Sequence, residues 1–267
     1  MDWDEMARPW LEAADGLEAS MKDVFQALFA AAELQKGERV LDVGCGTGPT
    51  LATASELVGD KGMITGIDIA PPLAARAKER GLPNVNVVVG DAGTYPFDNA
   101  AYDKVIANFG VMFFADNVAG FRNLRSAIKP GGRMAATVWA APIDNPWFAV
   151  PRKIVDEFVA DVPRPDPAGP GPMRFAKPEG LAAILEEAGW RPDIQTIDLL
   201  LRPPGTAKDA ADLHMLVTAG MMLQGMDVEE AALNKIHASL ATAMASYDVD
   251  GEIHVPARIH VISAEAV

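Results

Sequence analysis

Cysteine is almost missing from this chain of 267 residues, which has a single one, Cys45. One thiol forms neither an internal disulfide nor a site with several thiolates around a metal ion. Histidine is also scarce, and the chain has four: His214, His237, His254 and His260. None of them is paired at helix-face spacing or stands in an H-E-x-x-H pattern, so we expect no metal site.

Basic residues are too few to balance the acidic ones. The sequence has 23 Lys and Arg against 37 Asp and Glu, which gives a formal net charge of -14. The basic residues are scattered singly, so no local patch overcomes the repulsion between this charge and a phosphate backbone or an anionic membrane. The composition argues against a nucleic-acid partner or a polyanionic substrate.

Long hydrophobic runs are missing as well. The longest stretch without a charged side chain, 213–226, is interrupted by His214 and Gln224. It falls short of the roughly 18 apolar residues that a membrane-spanning helix needs. Residues 1–5 show neither the basic nor the apolar region of a secretory signal. We therefore expect a cytoplasmic protein without a membrane span.

Short β-branched runs alternate with helical stretches in the first half of the chain. Five such runs lie at 40–43, 63–67, 85–89, 104–107 and 134–139. A repeat of strand, helix and strand implies right-handed crossovers and a parallel sheet. With two further strands expected near the C-terminus, the pattern predicts an α/β fold. We expect a Rossmann-like, doubly wound, mostly parallel sheet of seven strands, of which the last is antiparallel.

The segments outside this repeat predict a helical cap. Residues 10–34 have the pattern of a helix, which we expect to pack on the sheet or, as a second possibility, to cover the ligand. We divide the chain into an N-terminal helical cap, 1–35, and a Rossmann-like domain, 36–267. Within that domain, cap segments are expected at about 143–177 and 205–250.

Local signals predict some details of the helices and loops. Asn117 is expected to cap one helix, and Asp227, with Glu230 three residues later, is expected to cap the second of two helices in an insert. A proline-rich loop at 163–172 cannot be regular structure. Because long loops in compact domains are often functional, we place it beside the substrate entrance.

A glycine-rich loop follows the first predicted strand. Residues 40–48 read Val-Leu-Asp-Val-Gly-Cys-Gly-Thr-Gly. Glycine lets the backbone approach a ligand closely, and the start of the next helix offers unpaired N–H groups. Asp68 stands twenty residues after Gly48, at the end of the second predicted strand, where a carboxylate can accept hydrogen bonds from both ribose hydroxyls. Together they predict a nucleotide-like cofactor.

The spacing of this loop disagrees with two other nucleotide sites. The dinucleotide pattern G-x-G-x-x-G needs a third glycine, but that position is Pro49 when counted from Gly44 and Leu51 when counted from Gly46. A phosphate-binding P-loop needs Gly-Lys-Ser or Gly-Lys-Thr at its end, which is also missing. A nicotinamide-dependent oxidoreductase is therefore the weaker alternative.

Four motifs, taken in order, resemble the class I S-adenosylmethionine-dependent methyltransferases. The similarity is to their small-molecule branch, the type 11 or ubiquinone-biosynthesis-like enzymes. The motifs are the glycine loop at 40–48, Asp68, Gly90-Asp91-Ala92, and Ile128-Lys129-Pro130-Gly131-Gly132-Arg133. The resemblance covers residues 36–139 well and the remainder only by topology.

The resemblance implies S-adenosylmethionine as the cofactor and places its adenosine part. Asp68 would bind the ribose, and Ile69 would flank the adenine. Asp91 and the Ala92 backbone would contact the adenine edge. We expect Asp42, inside the loop motif, to orient the loop rather than to contact the ligand.

The same resemblance places the methionine part of the cofactor. The glycine loop, with Gly44, Cys45, Gly46 and Gly48, would hold it, and the main chain near Asn108 would help to bind its amino group. Cys45 occupies a position that needs a small residue, so packing is expected there rather than reactivity.

The acceptor is less well defined by the sequence. Methyl transfer from a sulfonium is an in-line displacement that needs alignment and exclusion of water, without a covalent nucleophile or a metal. The segment 108–114, Asn-Phe-Gly-Val-Met-Phe-Phe, lacks the Asn/Asp-Pro-Pro-Tyr signature of amide and base methylation. Its apolar run indicates either an apolar acceptor pocket or core packing.

We predict methyl transfer to carbon, oxygen or nitrogen of a small, partly apolar metabolite by a monomer or homodimer. A catalytically silent S-adenosylmethionine-binding module is the alternative from another class. A hydroxyl acceptor would need a general base. His214, in the predicted insert, is the first candidate and Tyr95 the second, whereas His260 is expected to be structural.

Overall fold

The structure is a computed structural model, which describes residues 3–267 and the side chains from Ala7 onward. One seven-stranded sheet lies at its centre. The strands are β1 (Arg39–Val43), β2 (Met63–Asp68), β3 (Val85–Val89), β4 (Tyr102–Asn108), β5 (Ile128–Trp139), β6 (Trp190–Leu201), β7 (Asp248–Val249), β8 (Glu252–Ile253) and β9 (Val255–Ala266). The sheet has the order β3-β2-β1-β4-β5-β9-β6, and β7 and β8 form a separate hairpin.

The strand directions are those of the predicted doubly wound fold. The strands β3, β2, β1, β4 and β5 pair in parallel, and β9 runs antiparallel between β5 and β6. The predicted α/β class and the antiparallel last strand are confirmed. Strand β5 begins earlier than predicted, at Ile128, because Ile128 pairs with Tyr102 and an irregular register next to Tyr102 takes up the extra residues.

Helices cover the two faces of the sheet, which explains why four of the five β1 residues are buried. The α-helices are α1 (Trp3–Glu12), α2 (Ala14–Ser20), α3 (Lys22–Ala32), α4 (Pro49–Val58), α5 (Pro71–Lys78), α6 (Asn117–Ala127), α7 (Pro146–Phe158), α8 (Pro178–Glu187), α9 (Ala207–Val217), α10 (Ala219–Leu223) and α11 (Glu230–Ala245). No helix in the described part of the chain is long and apolar enough to cross a membrane.

The helical segment predicted at 10–34 is broken into α1, α2 and α3. Ser20 bonds back to the Gly16 carbonyl with its hydroxyl, at 2.6 Å, a contact that bends helices. The carbonyl of Ser20 accepts the N–H of Arg202, at 3.1 Å, from the end of β6. This tertiary hydrogen bond takes a backbone group out of the helical pattern, so the chain turns at Met21, whose φ and ψ are -96° and 14°.

Two predicted helix caps are wrong. Asp116, one residue before Asn117, caps α6, and its side chain accepts the Ala119 N–H at 3.0 Å. Helix α11 begins at Glu230, too late for Asp227 to reach its first N–H groups. The insert contains three helices rather than two, and its capping box lies at the start of α9.

The cap helices pack on one another and on the edge of the sheet. Helix α9 contacts α10, α11 and α1, while α7 contacts α11 and β9. Helix α1 also contacts α5, which follows β2. This packing brings the N-terminal helix over the carboxyl ends of the parallel strands.

Candidate functional site

A cavity of about 180 Å³ opens at the carboxyl ends of β1, β2 and β4. The chain leaves β1 toward β2 on one side and returns to β4 on the other, so this is the point where strand order reverses. Open α/β sheets bind ligands at such points. The cavity wall includes seven of the nine predicted cofactor residues: Gly44, Gly46, Asp68, Ile69, Asp91, Ala92 and Asn108.

The glycine loop forms one wall of the cavity by close backbone contact. Gly44 adopts φ +68°, and a Cβ built on it would lie 2.8 Å from the Cα of Gly110. A Cβ on Gly110 would lie 2.2 Å from the Val43 carbonyl oxygen. Both positions therefore require glycine, and together they join the end of β1 to the end of β4.

Cys45 and Gly48 lie behind this wall rather than on the cavity surface. Cys45 is buried, its Sγ packs against Gly66, and burial raises the pKa of the thiol, which remains protonated. Gly48 is the N-terminal cap residue of α4, in a left-handed conformation directly before Pro49. Both residues therefore shape the loop.

Asp68 lines the cavity with its carboxylate held by two main-chain donors. Its Oδ2 accepts the N–H of Gly46 at 2.8 Å, and its Oδ1 accepts the N–H of Ala70 at 2.9 Å. Burial raises the pKa of Asp68, and the hydrogen bonds from these N–H groups oppose that rise. Each carboxylate oxygen has a second lone pair, so a pair of hydroxyl groups fits this carboxylate.

Asp91 and its neighbours Gly90 and Ala92 also line the cavity, after the end of β3. The Oδ1 atom of Asp91 accepts the N–H of Gly93 at 2.8 Å and fixes the turn after β3. Ile69 is partly exposed at the end of β2, and Ala92 is buried beside it in the cavity wall. An apolar surface next to a carboxylate is suited to a flat heterocycle with a polar edge.

Asp42 lies beneath the glycine loop, fully buried and outside the cavity wall. Thr50 donates a hydrogen bond to Oδ2 at 2.5 Å, whereas Oδ1 has no hydrogen-bond partner. Burial raises the pKa of Asp42 to about 7, the Thr50 hydrogen bond opposes this rise, and the charge of Asp68 adds to it. Its position fits the expected orienting role.

The end of β4 also lines the cavity, through Asn108 and the following Phe109. The Oδ1 atom of Asn108 accepts the Thr137 hydroxyl at 2.7 Å. The next residue, Phe109, has φ +60° and stacks on Trp139. This turn was not predicted from the sequence, although Gly110, which follows a predicted strand, is a signal for a tight backbone approach.

Side chains from the cap complete the apolar side. Ala7 and Trp10 of α1 line the cavity with Phe113 and Phe114, which follow β4. Within the segment 10–34, α3 packs on β4 and β5, as the first expectation states, whereas Trp10 at its start lines the cavity, as the second states. The proline-rich loop contacts the segment after β4, because the N–H of Gly171 donates to the Met112 carbonyl at 3.1 Å.

The two candidate bases do not line the cavity. His214 is buried on α9, with Nδ1 2.8 Å from the Thr218 hydroxyl and its ring centroid 4.2 Å from that of Trp147. Burial lowers the pKa of His214 to about 3, and its Nε2 has no hydrogen-bond partner. Tyr95 packs on Phe97 with ring centroids 4.9 Å apart.

His260 has the surroundings of a structural residue. It is buried on β9, where Nδ1 lies 2.8 Å from the Thr196 hydroxyl and Nε2 lies 3.3 Å from the Ala176 carbonyl oxygen. Within the described part of the chain, no group of three or more His, Cys, Asp or Glu side chains could hold a metal ion.

Comparison with known proteins identifies the family. A methyltransferase domain family matches residues 40–132. The chain is 33% identical over 200 residues to the nocamycin O-methyltransferase of Saccharothrix syringae, an alignment that covers 68% of this chain and 70% of that protein. The chain belongs to the S-adenosylmethionine-dependent methyltransferases. The predicted family and its methyl donor are confirmed. The comparisons give no support to the alternative of a nicotinamide-dependent oxidoreductase.

Other relatives of this methyltransferase align over different shares of their length. Aklanonic acid methyltransferase DauC of Streptomyces sp. (strain C5) is 42% identical over 105 residues, which cover 38% of this chain but only 48% of DauC. The demethylmenaquinone methyltransferase of Beutenbergia cavernae is 28% identical over 198 residues, 71% of this chain and 81% of that protein.

Solved structures share the fold. A SAM-dependent methyltransferase from Aquifex aeolicus superposes with a TM-score of 0.53 and 23% identity, over 74% of this methyltransferase and 92% of that chain. Phosphoethanolamine N-methyltransferase 2 of Haemonchus contortus, solved with S-adenosyl-L-methionine, gives a TM-score of 0.59 with 15% identity, over 100% of this chain and 60% of that one.

Proposed function

We propose that this protein transfers the methyl group of S-adenosylmethionine to a small, partly apolar acceptor. The observation that carries the proposal is one cavity whose lining combines two kinds of side chain. Asp68 and Asp91 contribute carboxylates, and Phe109, Phe113 and Phe114 contribute aromatic rings. When bound, S-adenosylmethionine would supply an electrophilic methyl group on its sulfonium: a nucleophile of the acceptor would attack the methyl carbon in line while the S–CH3 bond breaks and S-adenosylhomocysteine leaves.

The polar residues of the cavity lining suit the methyl donor. The Asp68 carboxylate keeps lone pairs free for two hydroxyl groups after its contacts with Gly46 and Ala70, as a ribose requires. The partly exposed Ile69 offers an apolar surface beside it for a purine. The glycine contact between Gly44 and Gly110 brings two backbone segments against the same ligand space.

The aromatic residues of the cavity lining suit the methyl acceptor. Phe109, Phe113 and Phe114, with Trp10 from α1, surround the apolar side of the cavity and keep water away from a reacting atom placed there. The names of the relatives refer to nocamycin, aklanonic acid and demethylmenaquinone, which supports a small-molecule acceptor. The net charge of -14 supports an acceptor other than nucleic acid.

Several sequence-based interpretations remain predictions. The general base, with His214 and Tyr95 as candidates, is one of them, since neither residue lines the cavity. The cytoplasmic location, the monomer or homodimer state and the division into cap and Rossmann-like segments are the others.

Titration with S-adenosylhomocysteine tests the donor site. Asp68→Ala should weaken binding by about 10- to 150-fold, because hydrogen bonds to a charged group contribute roughly 1.5–3 kcal/mol. Asp60→Ala, which removes an exposed carboxylate in a turn, should bind like the unmodified protein. Because Asp68 also holds Gly46 and Ala70, urea unfolding of each variant is measured beside the titration. Equal affinity of both variants would remove the ribose assignment.

Turnover tests the reaction itself. The protein is incubated with methyl-labelled S-adenosylmethionine and a metabolite extract, and compounds that gain the label are identified by mass spectrometry. We expect labelled small molecules with the unmodified protein and much less label with Asp68→Ala when the donor concentration is kept below the Kd of the unmodified protein. Tight donor binding without any labelled product would favour the catalytically silent binding module.

A further inference from the structure

The residue after β4, Phe109, has an unusual backbone for an amino acid with a side chain. Its φ and ψ are 60° and 6°, in the left-handed region. There a Cβ comes too close to the following carbonyl oxygen, so the conformation persists only where the surroundings enforce it, often next to a ligand. The position of this residue in the cavity wall makes it a candidate for a ligand contact.

Three neighbours enforce this conformation. The N–H of Phe109 donates to the Thr137 carbonyl at 3.1 Å, and the Thr137 hydroxyl donates to the preceding Asn108 at 2.7 Å. The following residue, Gly110, is pressed against the Val43 carbonyl. The backbone on both sides of Phe109 is therefore fixed by β5 and by the glycine loop.

The side chain is held as firmly as the backbone. The rings of Phe109 and Trp139 are parallel within 5°, with centroids 4.2 Å apart. Trp139 is itself held edge to face by Phe148, at 5.1 Å and 80°. Trp139 is buried, whereas Phe109 is half-buried and faces the cavity. The aromatic stack thus extends from the interior to the cavity wall and ends there on the ring of Phe109.

We propose that Phe109 is an acceptor-binding residue that stacks against a planar, conjugated acceptor. This rests on the proposed methyl transfer. A ring that is fixed on one side by a parallel stack presents a flat surface of defined tilt on its open side, and offset stacking favours another flat π-system over a puckered aliphatic ring. Because Asn108 stands next in the cavity wall, an acceptor on Phe109 lies beside the donor end.

The test compares two probes that share a bicyclic skeleton, 2-naphthol, which is planar, and 2-decalol, its saturated counterpart. Their affinities are measured by calorimetry in the presence of saturating S-adenosylhomocysteine. The unmodified protein should prefer 2-naphthol. Phe109→Leu should reduce this preference by about 2- to 13-fold, the range expected for loss of one aromatic pair, and the comparison of two probes on two proteins cancels general changes in hydrophobicity.

Two further variants keep the result interpretable. Phe109→Asn removes the ring but tolerates the left-handed backbone, so it should lose the preference even if Phe109→Leu folds poorly. Phe97→Leu removes a ring that packs on Tyr95 outside the cavity wall and should leave the preference unchanged. If S-adenosylhomocysteine binds and both Phe109 variants keep the full preference for 2-naphthol, the assignment of Phe109 is wrong. A protein that binds no S-adenosylhomocysteine overturns the proposed function itself.

Discussion

Replacement of Asp42 by asparagine should flatten the dependence of stability on pH above pH 5. The Asp42 carboxyl is fully buried, and one of its oxygens has no hydrogen-bond partner. Its pKa rises from 3.8 to about 7 in the folded protein. The folded state therefore holds a proton that the unfolded chain has already released, and the stability that this proton contributes is lost as the pH rises through 7.

The size of the effect follows from that interval. Between pH 3.8 and about 7 the loss is on the order of 4 kcal/mol, at 1.36 kcal/mol for each pH unit. A pH of 5 lies about one unit above the lower limit, so about 3 kcal/mol of the loss remains between pH 5 and 8.5. Asparagine has no proton to lose, and this part of the pH dependence should vanish in Asp42→Asn.

Urea unfolding at pH 5, 6, 7 and 8.5 measures the effect in both proteins. The quantity of interest is the difference in unfolding free energy between variant and unmodified protein, because titration of distant groups cancels in it. That difference should rise by about 3 kcal/mol in favour of the variant from pH 5 to 8.5. A pH-independent offset reflects how well the new amide fits and carries no information about the charge.

Thr50 provides an independent check on the same carboxyl. Its hydroxyl donates to Asp42 Oδ2 and favours the ionised form. Thr50→Val removes this donor with little change in shape, so the pKa of Asp42 should rise further and stability should fall more steeply with pH. Parallel pH profiles for Asp42→Asn and the unmodified protein would refute the placement of an ionisable, buried carboxyl at this site.

Two other changes test the cap and the loop contact. Burial lowers the pKa of His214 to about 3. Below about pH 6.5 the unfolded chain therefore binds a proton at this residue that the folded protein does not bind. His214→Gln should abolish about 3 kcal/mol of the stability loss between pH 7 and 4.5, and a fall in kcat of about 10²-fold or more would support its prediction as general base. Gly110→Ala places a Cβ 2.2 Å from the Val43 oxygen. The substitution should lower the free energy of unfolding by about 1–3 kcal/mol or more and weaken S-adenosylhomocysteine binding. In the control Gly180→Ala the new Cβ meets nothing within 4 Å, so this variant should not be destabilised.

The sequence predicts the parts of this protein that depend on local pattern. The strands up to β5 follow from short β-branched runs, and the cavity follows from the glycine loop with Asp68, because both lie where parallel strands end. Each of these features is set by a pattern within a few neighbouring residues. Their backbone conformations are compatible with only a few residue types. Glycine at Gly44 is an example, since a Cβ there would meet the Gly110 backbone.

Features that depend on distant partners could not be predicted in the same way. The break between α2 and α3 is stabilised by a hydrogen bond from Arg202, far along the chain, to Ser20. The backbone of Phe109 is enforced by Thr137 on the neighbouring strand, and no local propensity favours phenylalanine there. His214 is predicted as a base from its place in the insert, whereas its burial against Trp147 depends on distant contacts that the local sequence does not show.

The buried charges of the site oppose the stability of the free protein in a way that suits its ligand. Asp42 and Asp68 both lie next to the glycine loop, burial raises the pKa of both, and the charge of Asp68 raises that of Asp42 further. Two neighbouring carboxylates in a region of low dielectric repel each other, and a positive charge in the adjacent cavity offsets that repulsion. S-adenosylmethionine carries such a charge on its sulfonium. A cationic methyl donor bound in the adjacent cavity would therefore offset part of the free energy that these buried carboxylates cost the folded protein.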